Sequence, residues 1–175
     1  MHIRTPRLLL VAATATLAHA EWSDRIRFGG LLHASVPESW PPPLTAHRHE
    51  HNARRLADHP HEAGWWFWYI LSIHEPTTLV GICAFKGMPN ASGQAEIGYS
   101  VLPELHARGY ATEAVRALVS WALGHPFVTE VVANTYSHLL ASITVLERNG
   151  FQSVGAPDSS GQVQYALPRA AHESA

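Results

Sequence analysis

Glu96-Ile97-Gly98-Tyr99-Ser100-Val101-Leu102-Pro103, followed by His106-Ala107-Arg108-Gly109-Tyr110-Ala111-Thr112, changes its structural period in the middle. The first part reads as the end of a strand running from Gln94 to Leu102. Beyond the turn, Val115, Leu118, Val119 and Ala122 recur at helical spacing, so Thr112 to Leu123 reads as an amphipathic helix. A strand therefore feeds a glycine-containing turn that opens a helix. The first N–H groups of a helix lack internal partners, and the helix dipole places positive potential there. Such an end suits a diphosphate. Gly109 lets the backbone approach the phosphates closely, because a side chain there would occupy their space. Taken alone, the turn also suits an ordinary helix start.

Upstream of this unit, Trp65 to Ile73 is a β-prone block, apolar on both faces, as a covered central strand should be. Its tryptophans read as core rather than as a ligand platform. Leu79 to Lys86 is the next strand, and the turns His74 to Thr78 and Pro89 to Gly93 make an antiparallel meander. Nearer the start, Arg7 to Val11 reads as a buried strand and Thr14 to about Leu32 as helical, with Gly29-Gly30 ending it. Thr45 is placed to cap a second helix reaching Asp58. Downstream come a strand from Glu130 to Thr135, a helix from Ala141 to Asn149 stopped by Gly150, and strands at Phe151 to Val154 and Gln162 to Leu167. The order βααβββαβαββ predicts an α/β fold with a mixed, splayed sheet and helices on both faces. The strand–helix–strand unit around Gly109 should be a parallel crossover. Residues 1–168 form one domain in this reading, with 169–175 a flexible tail.

Bulk properties narrow the partners. A formal charge of −2 over 175 residues gives no basic field, which argues against nucleic acid, although 13 histidines shift the balance in mild acid. Cys83 is the single cysteine, so no intrachain disulfide forms; a buried inert thiol and a cytoplasmic setting fit. No apolar run approaches the ~20 residues that span a bilayer. A competing reading exists at the start of the chain. Arg4 and Arg7, the apolar run Leu8 to Ala13 and the triplet Ala18-His19-Ala20 resemble an export signal over residues 1–20, which would make this an exported binding protein.

Arg108-Gly109-Tyr110-Ala111-Thr112-Glu113-Ala114 resembles the pyrophosphate loop of the GNAT acetyltransferases. Ala141-Ser142-Ile143, Val145-Leu146-Glu147 and Gly150-Phe151 resemble that family's later motif, and Thr5-Pro6-Arg7-Leu8-Leu9-Leu10 resembles the opening strand of its Rim-type ribosomal-protein N-acetyltransferase branch. The resemblance implies acetyl-CoA bound by His106, Ala107, Arg108, Gly109, Tyr110, Ala111 and Thr112, with Ser142 nearby. It further implies a V-shaped cleft in which the pantetheine arm pairs with the backbone of Val101 and Leu102, and where a backbone N–H stabilises the oxyanion. An amine acceptor, either a small molecule or a protein N-terminus, would attack directly. Glu96 is the candidate base; Ser142 is a candidate donor to the thiolate, or else the cap of its helix. Trp40 and Tyr99 are the candidate acceptor-binding residues, and Glu113 complements the helix dipole. His106 stands where the family has Gln or Arg, Leu139 where it often has Asn, and Leu146 where many members carry a tyrosine acid. The departures at His106 and Leu139 prompt an alternative, a catalytically inactive coenzyme A-binding module. His47 and His51 share a helix face, but without the H-E-x-x-H order or a third ligand no metal is expected. A monomer or homodimer is expected.

Overall fold

The computed structural model describes residues 1–42 and 49–173; the side chains of 49–52 and 173 lie outside that description. Its strands are β1 (His2–Arg4), β2 (Leu8–Ala12), β3 (Phe67–Ser72), β4 (Thr78–Phe85), β5 (Gln94–Val101), β6 (Glu130–Tyr136), β7 (Gln152–Val154) and β8 (Gln162–Pro168). The helices are α1 (Ala15–Ser23), α2 (Arg25–Leu32), α3 (His49–Asp58), α4 (Tyr110–Leu123), α5 (Leu140–Glu147) and α6 (Arg169–Glu173). All eight strands form one mixed sheet in the order β1-β2-β3-β4-β5-β6-β8-β7. Only β5 and β6, the pair joined through α4, run parallel. This is the α/β architecture with helices on both faces that the element order predicted.

Local differences have local causes. The long N-terminal helix is two, because the Asp24 backbone is extended. Its N–H closes α1 on the Ala20 carbonyl while its carboxylate accepts from the Arg27 N–H and opens α2. Residues 1–20 build β1, β2 and most of α1, and Leu8 and Leu10 are fully buried between β1 and β3. The apolar run that resembled an export signal is thus an internal strand. The expected cap Thr45 and His47 lie outside the described residues. Residues 169–173, expected as part of a tail, form α6, and Arg169 donates to the carbonyls of His125 and Val128.

Two apolar layers sandwich the sheet. Trp68 and Ile70 face a core completed by Val115, Leu118, Val119 and Ala122 of α4, whereas Phe67, Tyr69 and Leu71 face the layer under α1, α2 and α3. Strand β3 is buried at every position, as its doubly apolar sequence requires. Each buried Leu or Val contributes roughly 1.5–3 kcal/mol, so α4 is firmly seated and the direction of its N-terminus is set. Trp121 anchors the far end of α4, with ring centroids 4.8 Å from Trp65 and 5.3 Å from Trp68. The second layer stops at β4. On β5 the side chains facing that way are Glu96, Gly98 and Ser100, and none of them joins an apolar layer. No helix among the described residues is long and apolar enough to cross a membrane.

Candidate active site

The sheet opens beside β5. Pairing with β6 covers only Gln94↔Glu130, Ala95↔Val131 and Glu96↔Val132; beyond these, β5 stays on β4 and β6 stays on β8. Peptide groups alternate sides along a strand. The Lys86 N–H bonds the Glu96 carbonyl and the Leu102 N–H bonds the Val80 carbonyl, so the even positions serve β4. The N–H groups of Tyr99 and Val101 therefore face the gap. Leu102, expected to share this role, does not: its N–H is spent on β4 and its side chain is fully buried.

Helix α4 begins at the mouth of this gap. Its N-cap is Gly109 at φ 79°, and no side chain caps it. The first intrahelical bond runs from the Glu113 N–H to the Gly109 carbonyl. The N–H groups before it are left for an outside acceptor, at the positive end of the dipole. Ala107 is also left-handed, at φ 59°. The glycine requirement has a cause beyond ligand space: a Cβ at Gly109 would sit 3.2 Å from an Arg7 guanidinium nitrogen. One ring nitrogen of His106 is engaged within the chain: its Nε2 donates to the Val101 carbonyl at 2.9 Å.

Sequence reasoning missed Arg7. Thr5 and Leu8 close a turn between β1 and β2, with the Thr5 N–H on the Leu8 carbonyl and the Leu8 N–H on Thr5 Oγ1. Arg7 projects from that turn. Its Nε donates to Glu113 Oε2 at 2.6 Å, its N–H to Glu113 Oε1 at 2.9 Å, and its Nη1 to the Arg108 carbonyl at 2.9 Å. Thr5 Oγ1 adds a third donor to Glu113 Oε1 at 2.6 Å. Burial raises the Glu113 pKa, but the hydrogen bonds from Thr5 and Arg7 outweigh it and the net shift is downward. Glu113 thus does more than complement a dipole. The only hint in the sequence was the motif Thr5-Pro6-Arg7-Leu8, which carried family likeness but no role.

Two groups flank the gap on opposite sheet faces. Tyr99 reaches α5, where its hydroxyl donates to the Ser142 carbonyl at 2.9 Å and lies 3.2 Å from Ser142 Oγ. Burial pushes the Tyr99 phenol up to about 12, so it stays protonated. Tyr99, a candidate acceptor-binding residue, is partly buried against the α4 core. Ser142 is not the cap of α5: that position is Leu139, with no side-chain hydrogen bond. On the other face, Glu96 Oε1 accepts from Lys86 Nζ and from Asn134 Nδ2. Beside it lies a hollow lined by Lys86, Gly87, Met88, Asn90, Gln94 and Glu96. Gly98, next on this face, has open space where a Cβ would stand.

Trp40 is a core residue, contrary to its expected place in an acceptor wall. It packs on Phe28 and Tyr69, and its indole N–H donates to Glu21 at 2.9 Å. Cys83 is fully buried and its thiol is pushed far up by desolvation, so it is inert. His59, His61 and Glu62 form a cluster of potential metal-ligating groups among the described residues. Glu62 is already committed, accepting from Arg55 through both oxygens and from the Trp66 indole.

An uncapped helix thus opens beside a gap between parallel strands. Residues 7–152 match the Acetyltransferase (GNAT) domain family. The chain belongs to that family. YjdG, an uncharacterized N-acetyltransferase of Bacillus subtilis, is 34% identical over 73 residues, 42% of this chain and 44% of the relative. The match thus spans less than half the length of that curated relative. Similar solved structures include a ribosomal-protein-alanine acetyltransferase from Vibrio fischeri, at 16% identity and a TM-score of 0.68 over 97% of both chains. Another is a ribosomal-protein alpha-N acetyltransferase in complex with coenzyme A, at 18% identity and a TM-score of 0.67 over 96% of this chain and 98% of that one. At such identity these two show a shared GNAT fold.

Proposed function

We propose that this GNAT protein transfers the acetyl group of acetyl-CoA directly to an amine while both are bound. The observation that carries the reading is the gap between β5 and β6 lying against the uncapped N-terminus of α4. The diphosphate takes the free N–H groups of residues 108–112, and the pantetheine arm enters the gap as an added strand would. The Val101 N–H, facing the gap, is the candidate oxyanion donor.

The two flanking groups suit attack from one face and departure toward the other. Glu96, on the polar face, accepts the proton of an incoming ammonium directly or through water. Lys86 is ion-paired with that carboxylate beside the gap. Ser142 Oγ, steadied by the Tyr99 hydroxyl, is the donor for the departing thiolate. Gly98 leaves the amine side unobstructed. No covalent intermediate is required, since ordering the two substrates supplies much of the rate.

Thiol release from acetyl-CoA, followed with small amines and with peptides bearing a free N-terminus, tests the reading. Amine-dependent release is expected with at least one class. Coenzyme A binding with no turnover on any of them would instead favour an inactive binding module of this fold.

A further inference from the structure

We propose that Arg7 is a positioning residue of the coenzyme site: it turns the Gly109 N–H toward the diphosphate, and Glu113 and Thr5 hold it there. The inference rests on the coenzyme reading above. A peptide unit is planar and trans, so its carbonyl and its N–H point in opposite directions. The Arg108 carbonyl and the Gly109 N–H belong to one such unit. Arg7 Nη1 grips the Arg108 carbonyl at 2.9 Å, which sends the Gly109 N–H the other way, out of the loop. Without that grip the unit is free to rotate, because glycine at φ 79° has an open conformational map.

The grip is itself fixed. Three donors converge on the Glu113 carboxylate: Thr5 Oγ1, the Arg7 backbone N–H and Arg7 Nε, so the main chain and the side chain of Arg7 are both held on Glu113, and the guanidinium bridges Glu113 and the Arg108 carbonyl. Tyr110 closes the other side, with its ring centroid 5.4 Å from the Arg7 guanidinium carbon. Glu113 lies one turn inside α4, and α4 is seated in the core. The turn between β1 and β2 is thereby tied to the rigid helix, and the phosphate loop lies between the two. A residue that served stability alone would need no contact with the loop carbonyl.

Calorimetric titration of the full chain with coenzyme A, and with pantetheine, which lacks the diphosphate, tests this. Wild type should prefer coenzyme A strongly, and Arg7→Ala should cut that preference about tenfold, in line with roughly 1.5 kcal/mol for a charge-assisted bond. Arg7→Lys should recover only part of it, because an ammonium cannot hold Glu113 and the Arg108 carbonyl in one plane. Glu113→Gln, a milder change to the same clamp, should weaken coenzyme A several-fold and covers the event that Arg7→Ala fails to fold. An equal loss for both ligands, or full rescue by lysine, would overturn the proposal. Failure of wild type to bind coenzyme A would sink the underlying reading, and this inference with it.

Discussion

Helices α1 and α2 begin differently from α4 and α5. Thr14 accepts from the Leu17 N–H and Asp24 from the Arg27 N–H, so the first two helices open on side-chain caps. At α4 and α5 the caps are Gly109 and Leu139, neither of which makes a side-chain bond. The first pair only covers the sheet. The second pair borders the gap. A cap is worth about 1 kcal/mol, so leaving it out at both helices of the site forgoes stability where a ligand is to supply the missing acceptor. Stability at α4 comes instead from its buried face and from Trp121 at its far end.

The largest expected effect breaks the contrast at α4. Gly109→Val forces a β-branched residue into φ 79° against the Arg7 guanidinium, at a strain of roughly 1–3 kcal/mol. Coenzyme A affinity should fall by at least about a hundredfold, since strain and blocked N–H groups add. Calorimetry, with circular dichroism to verify folding, measures it; unchanged affinity removes the loop from the site. On the scaffold side, Asp24→Ala should cost about 1 kcal/mol and lower the melting temperature by about 2–4 °C, with coenzyme A affinity unchanged. A comparable loss of binding would mean that the two kinds of helix start are not separate in function.

A smaller effect is expected from Leu139→Asn, which gives α5 the cap it lacks. Thermal melting should rise by a degree or two, from roughly 0.5 kcal/mol or more of capping energy. Coenzyme A should bind a few-fold more tightly if the new amide also meets the ligand.

Acid titration probes the scaffold alone. Hydrogen bonds from Arg55 first, and from Trp66, hold Glu62 down to about 2 against the opposing pull of desolvation. A depressed carboxyl stabilises the fold above its ordinary value near 4.5 and loses that contribution as pH falls toward 2. Arg55→Ala should therefore raise the pH at which acid unfolding, followed by tryptophan fluorescence, sets in. An unshifted acid limb would show that the pair contributes nothing to the fold.

What the sequence made legible were features written in local period. The apolar block Trp65 to Ile73 contains β3, the helical spacing of Val115, Leu118 and Val119 lies within α4, and Gly109 opens that helix. What it hid depended on distant partners. Arg7 meets Glu113 across 106 residues, and nothing near either position announces the other. Trp40 was a candidate acceptor-binding residue, yet Phe28 and Tyr69 make a place for it in the core. The family resemblance placed Leu102 at the gap beside Val101. The register Gly81↔Val101 sets which peptide groups point there, and a register between strands is not visible in either strand alone.

The three-residue pairing of β5 with β6 also has a consequence for solvent exchange. Along β5 and into Leu102, the amides of Ser100 and Leu102 are tied to β4, whereas among the described residues no strand pairs with those of Tyr99 and Val101. Amide deuteration should therefore alternate along this strand, slow at one residue and fast at the next, although all four share one backbone. A molecule lodged in the gap would erase the alternation by slowing only the fast set. Strand β5 is thus its own gauge of occupancy, readable one amide at a time without a label or a chemical reaction.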